Sequence, residues 1–176
     1  MKDFVNELLP LMTLILGITI VIYFVLLIIE KLTKTKFLDY LLSEVKKKSV
    51  FWMFLIALVS TLGSLFYSEI MGYNPCKLCW FQRIMMYPLV VFFGMALIKK
   101  RKDFVDFVWP LVGLGILTSG YHYLTQLMQW KTSCSALESA ADCTLKFIFN
   151  YGYITIPMMA FTGFVGIAIL LWWNRN

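Results

Sequence analysis

The sequence is poor in charge. Only 15% of its residues are Asp, Glu, Lys or Arg, whereas soluble domains carry roughly 25%. It has a single histidine, and it contains no Gly-rich phosphate loop, no zincin motif and no Ser/His/Asp arrangement. A water-soluble core and the chemistries of those motifs are therefore not expected. The net charge of +6 comes from basic residues in short loops, so it predicts membrane orientation rather than nucleic-acid binding.

Hydrophobic residues make up 60% of the chain. They recur in segments of about 20 residues, long enough to cross a bilayer. The alternating segments of about ten residues that a membrane barrel needs are absent. The first apolar segment is too long for a signal-peptide core and lacks a small-residue cleavage site. The sequence thus predicts an all-α integral membrane bundle, with helices at about 8–29, 49–71, 75–98, 104–127 and 154–173.

Basic residues orient this bundle. The stretch 30–48 carries six lysines, the turn 99–102 carries four basic residues, and Arg175 brings the total on one side to eleven of sixteen. The positive-inside rule then places the N-terminus outside and the C-terminus in the cytoplasm. The stretch 30–48 itself fits either an amphipathic helix on the membrane surface or a solvated linker. We expect two parts: residues 1–48 with an extra N-terminal helix, and a four-helix core at 49–176.

The four cysteines all fall in the two predicted outer loops, on the side of the membrane where disulfides persist. The expected disulfides are 76–79 and 134–143, although sequence leaves the connectivity open. A Cys-x-x-Cys disulfide closes only a tiny loop and adds little stability. Such pairs are more often redox-active or metal-binding. A four-cysteine zinc site is the metal alternative, and haem attachment fails because Trp80 follows the second cysteine.

The residues around Cys76 and Cys79 favour reactivity. Asn74 and Pro75 predict a helix start, so both cysteines should lie in its first turns, where the helix dipole favours a thiolate. Arg83 follows Cys79 by four residues on the same face. Charged and polar groups inside membrane segments are functional candidates, with snorkelling toward the headgroups as the alternative. That alternative stays open for Glu69, Gln126 and His122.

These residues carry a family resemblance. The segment Pro-Cys-Lys-Leu-Cys-Trp-Phe-Gln-Arg (75–83) resembles the first-loop motif of the disulfide bond formation protein B family (DsbB, and its BdbC branch). The pair Cys134 and Cys143, and Tyr-Ile-Thr-Ile-Pro at 153–157, resemble the BdbC branch as well. The resemblance covers about 49–173.

The resemblance implies a four-helix membrane enzyme of the bacterial inner membrane. Such an enzyme reoxidises an extracytoplasmic, thioredoxin-like thiol oxidase (DsbA- or BdbD-like) and passes the electrons to a quinone (ubiquinone or menaquinone). By position, Cys76 and Cys79 would be the quinone-coupled pair, with Cys79 facing the quinone, and Cys134 and Cys143 would meet the partner. Arg83 is the quinone-site arginine by resemblance, and His122 is the second candidate for that site.

Two features depart from the family pattern. The extra N-terminal helix has no counterpart in the four-helix core, and the second cysteine pair is closer together than in enterobacterial members. Two other functions remain open. One is a vitamin K epoxide reductase-like enzyme, although that family carries its Cys-x-x-Cys near the end of the bundle. The other is a non-enzymatic membrane protein with stapled loops.

Overall fold

The computed structural model describes residues 2–33, 45, 47–99, 105–129 and 142–175. Within these ranges the chain forms five α-helices, which confirms the predicted all-α bundle. They are α1 (Lys2–Thr33), α2 (Ser49–Leu65), α3 (Lys77–Lys99), α4 (Val105–Met128) and α5 (Ile156–Arg175). Predicted and observed ends agree to within a few residues except for α1, whose helical hydrogen bonding continues past both ends of the apolar segment.

Helices α2 to α5 form a closed bundle in which each packs against its two neighbours, in the order α2–α3–α4–α5 and back to α2. Helix α1 lies outside this ring, against α5 and against Gly63 of α2, where the Leu9 side chain lies 3.2 Å from the position of a glycine Cβ. Near the other end of α1, the Trp173 indole donates to the Tyr23 hydroxyl at 2.7 Å. These contacts dock α1 along the bundle.

Four segments are long and apolar enough to cross a membrane: Val5–Ile29, Ser49–Ile70, Lys77–Lys99 and Ile156–Asn174. By length and composition they identify the chain as a multi-pass membrane protein. Helix α4 does not reach the same hydropathy among the described residues, although its 24 residues correspond to about 36 Å at 1.5 Å per residue. The reason is a row of buried polar side chains on its inward face: Ser119, His122, Thr125 and Gln126.

The C-terminal end of α2 departs from the predicted regular helix. Residues Phe66–Ile70 form a single π-helical turn, in which the Met71 N–H donates to the Phe66 carbonyl at 3.1 Å. Such turns insert an extra residue and rotate the side chains that follow, often at functional sites. Here the turn carries Tyr67, which is 4% exposed and faces the bundle interior.

The core is held by close packing, because lipid tails are as apolar as the side chains and association gains little from leaving water. Helices α4 and α5 approach most closely at Gly115. A Cβ built there would overlap the ring of Phe164, which is fully buried. Only glycine allows this approach.

Some predicted features fall outside the described residues. These are most of the stretch 30–48, most of the basic turn 99–102, and the loop segment that holds Cys134. The division at residue 48 also stays a prediction.

Candidate functional site

Cys76 caps the start of α3. The helix begins at Lys77, two residues later than the Asn74–Pro75 pattern predicts. The Cys76 carbonyl accepts the first helical hydrogen bond, from the Trp80 N–H at 3.1 Å, and its Sγ accepts the Cys79 N–H at 3.3 Å. A side chain that accepts a backbone N–H in the first turn is an N-cap. The sulfur therefore takes the place that the asparagine oxygen was expected to fill.

Cys76 and Cys79 are free thiols whose sulfur atoms lie 3.0 Å apart and share a hydrogen bond. The pKa of Cys76 is lowered to about 5. The main cause is the hydrogen bond with the Cys79 thiol, followed by the hydrogen bond and the charge interaction with His122 and by the Cys79 N–H; burial opposes them. At neutral pH the pair therefore holds a Cys76 thiolate, the reactive form of cysteine.

His122 on α4 contacts this thiolate. Its Nε2 lies 3.6 Å from the Cys76 sulfur and 3.2 Å from the Cys143 carbonyl oxygen, and its Nδ1 lies 3.0 Å from Gln82 Nε2. A carbonyl oxygen only accepts hydrogen bonds, so Nε2 carries a proton and Nδ1 accepts from the Gln82 amide. The Nε2 proton is thus aimed between the Cys143 carbonyl and the Cys76 sulfur.

The loop 142–155 brings Cys143 to the same place. Cys143 is fully buried, packs in one cluster with Cys76, and is disulfide-bonded. Gln126 of α4 holds the loop by donating to the Leu145 carbonyl at 2.9 Å. The cleft between Cys76, Cys79 and this loop has a volume of about 20 Å³, room for about one water molecule. The cleft therefore has no room for a ligand larger than water.

On its other side, Cys79 borders a much larger cavity of about 430 Å³, within the range of small-molecule sites. The cavity runs along α2 from Trp52 to Ser68, a length of about 24 Å. Polar groups gather at the end near Cys79, and apolar side chains line the rest. A stacked pair of rings, Tyr73 and Phe147, whose centroids lie 4.8 Å apart, lines its outer end.

Arg83 and Tyr67 line the polar end of this cavity. Arg83 donates through Nε to the Ser64 hydroxyl at 3.0 Å and through Nη2 to the Ser64 carbonyl at 3.1 Å. Its guanidinium carbon also lies 5.3 Å from the centre of the Trp80 ring. These bonds use two of the five guanidinium donors. The Tyr67 hydroxyl is buried without a hydrogen-bond partner among the described residues, which is costly unless a ligand satisfies it.

Cys76, Cys79 and His122 also have the composition of a metal site, since their ligand atoms lie within 4.8 Å of one another. The geometry fits a metal poorly. Two thiolates on tetrahedral zinc lie about 3.8 Å apart, given Zn–S bonds of about 2.3 Å, and the sulfurs here are at 3.0 Å. The His122 Nε2, which a metal would need unprotonated, faces a carbonyl oxygen. The predicted four-cysteine zinc alternative fails for the described cysteines because Cys143 is in a disulfide.

The structure thus brings four of the six predicted site residues to one end of the bundle, and Arg83 to the cavity beside them. His122 lies against Cys76 and Cys143 rather than on the wall of the large cavity where a quinone-site residue was expected. Cys134 lies outside the described residues, so its pairing with Cys143 stays a prediction. Sequence reasoning missed Tyr67, which follows no motif, and gave no role to Gln82.

Fold and site together define a class: a multi-pass membrane protein with a thiol pair at the end of its helix bundle. A family model described as disulfide bond formation protein DsbB matches residues 46–174. The chain belongs to this family, which confirms the resemblance seen in the sequence. Family membership makes it a membrane disulfide oxidoreductase with a role in disulfide formation.

Relatives support the same assignment. The chain is 40% identical over 111 residues to probable disulfide formation protein C 1 of Bacillus anthracis, covering 63% of this chain and 80% of the relative. It is 42% identical over 118 residues to a probable disulfide formation protein of Oceanobacillus iheyensis, covering 65% and 79%. Disulfide bond formation protein C of Bacillus subtilis is 38% identical over 116 residues, covering 66% and 84%. No solved structure matches the chain.

Proposed function

We propose that the protein takes electrons from an extracytoplasmic, thioredoxin-like thiol oxidase and passes them to a membrane quinone. The observation that carries this proposal is the position of Cys79. It borders both the narrow cleft shared with Cys76 and the large cavity lined by Arg83. Cys79 thereby connects a cleft that is too small for a ligand with a cavity of the size of a small-molecule site.

The first half of the reaction is thiol–disulfide exchange. A thiolate of the reduced partner attacks the disulfide that includes Cys143, and the partner's second thiol resolves the mixed disulfide. The partner leaves oxidised and the loop pair holds two thiols. Cys143 is fully buried, so the partner's attack falls on the other cysteine of the pair, which we assign to Cys134.

The second half transfers these electrons within the chain. When Cys76 and Cys79 are joined in a disulfide, a loop thiolate at Cys143 attacks Cys76, with which it packs, and Cys79 leaves at the edge of the large cavity. The second loop thiol then releases Cys76, which leaves readily because its pKa is low. The loop disulfide is restored, and Cys76 and Cys79 now hold the two electrons.

Three observations support a quinone as the ligand of the large cavity. The volume of about 430 Å³ suits a small-molecule ligand. The partnerless hydroxyl of Tyr67 and the remaining donors of Arg83 suit oxygen atoms of a head group, and the apolar remainder suits an isoprenoid chain. A bound quinone supplies a two-electron acceptor. Arg83, fixed by Ser64, places positive charge where electrons arrive in a site poor in water.

We assign the membrane to the bacterial inner membrane, with both cysteine loops outside. The lysine asymmetry supports this orientation, and so does the chemistry, because the partner and the disulfides it makes belong to an oxidising compartment.

The direct test is anaerobic mixing of the purified, oxidised protein with a quinone and a reduced thioredoxin-like protein. We expect quinol to form in a one-to-one ratio with oxidised partner, because each transfer moves two electrons. A Cys79→Ser variant should form no quinol. If the partner is oxidised and no quinol forms, the electrons go to an acceptor other than the quinone, and the proposal is wrong.

A second test separates the two substrates. In Arg83→Met we expect the KM for quinone to rise, or kcat at saturating partner to fall, by about tenfold or more. The reason is the loss of a donor that stabilises developing negative charge. Exchange with the partner should change little. Arg83→Lys should recover only part of the loss, because lysine lacks the planar fork that reaches both Ser64 oxygens at once. A defect seen only when the partner is limiting would show that Arg83 does not serve the quinone site.

A further inference from the structure

The N-terminal helix α1 forms one wall of the large cavity. Six residues of α1 line it: Leu9, Met12, Thr13, Ile15, Leu16 and Thr19. They span eleven residues of helix from Leu9 to Thr19, a rise of about 15 Å. The family model begins only at residue 46, so this wall is an addition to the family's helix bundle.

Helix α1 passes beside the polar end of the cavity, where Arg83 lies, and continues away from it. Leu9 packs on Gly63, next to Ser64, which holds Arg83. Deeper in the membrane, Leu16 lies 3.6 Å from a Cβ built on Gly166 of α5, and Trp52 and Leu55 line the cavity from α2. Helix α1 therefore begins to line the cavity beside the polar end and continues along its apolar length.

Small residues of the bundle line this space on the side that faces α1. Gly63, Ser60 and Gly163 line the cavity from α2 and α5, and without α1 they would form a groove open to lipid on one side. Helix α1 is docked by the hydrogen bond between Trp173 and Tyr23 at 2.7 Å and by the edge-to-face contact of their rings, with centroids 4.8 Å apart. The groove is thereby covered along the stretch that α1 lines.

We propose that α1 turns this groove into a channel for the isoprenoid chain of a quinone, and that Leu16 and Thr19 set how well a long chain binds. This inference rests on the proposed function. The polar end near Arg83 receives the head group, and the part of α1 at Leu16 and Thr19 contacts only the chain. Helix α1 is thus a determinant of affinity for long-chain over tail-less quinones.

The test is equilibrium binding by the full-length protein in detergent, measured by calorimetry with menaquinone and with menadione, its tail-less head group. Leu16→Trp and Thr19→Trp fill the channel at two depths. Ile18→Trp is the matched control, because Ile18 is 49% exposed on α1 and does not line the cavity. We expect both channel variants to weaken menaquinone binding by about tenfold or more, equivalent to about 1.4 kcal/mol, with menadione binding and the control unchanged.

Three outcomes would overturn the inference. Unchanged menaquinone binding in both channel variants would show that the chain lies elsewhere. Equal losses for menaquinone and menadione would show that α1 acts on the head-group site or on the fold. Failure of the unsubstituted protein to bind either compound would remove the proposed quinone site itself, and with it the channel. If menadione binds normally and menaquinone binding is unchanged in both variants, the channel is wrong and the proposed quinone site stands.

Discussion

Replacing His122 should change the acidity of Cys76. The ring Nε2 lies 3.6 Å from the Cys76 sulfur and carries a proton that the thiolate can accept. His122→Phe keeps an aromatic ring of similar size in this fully packed position and removes that donor. We therefore expect the pKa of Cys76 to rise from about 5, while the hydrogen bond with Cys79, the largest cause of the lowered pKa, remains.

The expected rise in the pKa of Cys76 can be worked out from its contact with His122. A hydrogen bond to a charged group contributes about 1.5–3 kcal/mol, and one pKa unit corresponds to about 1.4 kcal/mol. The long distance between Nε2 and the sulfur and the sharing with the Cys143 carbonyl favour the lower end of this range, so we expect the pKa to rise by about one unit. The sign is fixed: losing a donor to the thiolate favours the thiol, and the ionisation midpoint moves to higher pH.

The assay is a pH titration of thiolate ultraviolet absorbance in the reduced protein, with Cys76→Ser titrated in parallel as the baseline. Gln126→Leu is the matched control. It also removes a hydrogen bond from α4 to the loop 142–155, but Gln126 has no hydrogen bond to Cys76. An unchanged midpoint in His122→Phe would refute the contact, and an equal shift in Gln126→Leu would show that loop position, rather than His122, controls the thiolate.

Three further predictions concern topology, exchange and packing. In intact cells a membrane-impermeant thiol reagent should label Tyr151→Cys and not Lys47→Cys, both exposed positions, and the reverse pattern would invert our orientation. Cys143→Ser mixed with the oxidised partner should accumulate a mixed disulfide through Cys134, because the free Cys134 thiolate attacks the partner's disulfide and displaces one partner thiol; an adduct through Cys76 or Cys79 would reverse our assignment of the two pairs. Gly115→Ala should lower stability by about 1–3 kcal/mol through overpacking and Gly113→Ala should not, because a Cβ at Gly113 meets nothing within 4 Å; equal thermal melts would contradict the close approach of α4 and α5.

Composition and spacing were enough to predict the membrane bundle and to place the cysteines in two loops on one side of it. Hydropathy reports the length of each membrane segment, and a Cys-x-x-Cys at a helix start has few uses. Both signals are local in sequence. The prediction for His122 was less exact, because its depth in α4 was correct but the face it presents depends on how α4 packs against α3.

The features that sequence reasoning missed depend on rotation about a helix axis. An all-round apolar helix such as α1 carries no pattern that says which face meets the bundle, so its role in the cavity wall was invisible. Tyr67 lies in the π-helical turn that ends α2, and such a turn rotates the side chains that follow it. No residue in the sequence of that turn predicts it.

The two cysteines of the Cys-x-x-Cys pair differ more than their spacing suggests. Three residues apart in a helical turn, they share a face, yet Cys76 sits outside the first turn as its cap and Cys79 inside it. The cap position gives Cys76 a backbone N–H, a histidine proton and the neighbouring thiol as donors. Cys79 receives none of that set except its partner's sulfur, and it alone reaches the large cavity. In the reaction that we propose, this difference gives the two cysteines different roles: Cys76 is the leaving group for exchange with the loop, and Cys79 passes electrons toward the cavity.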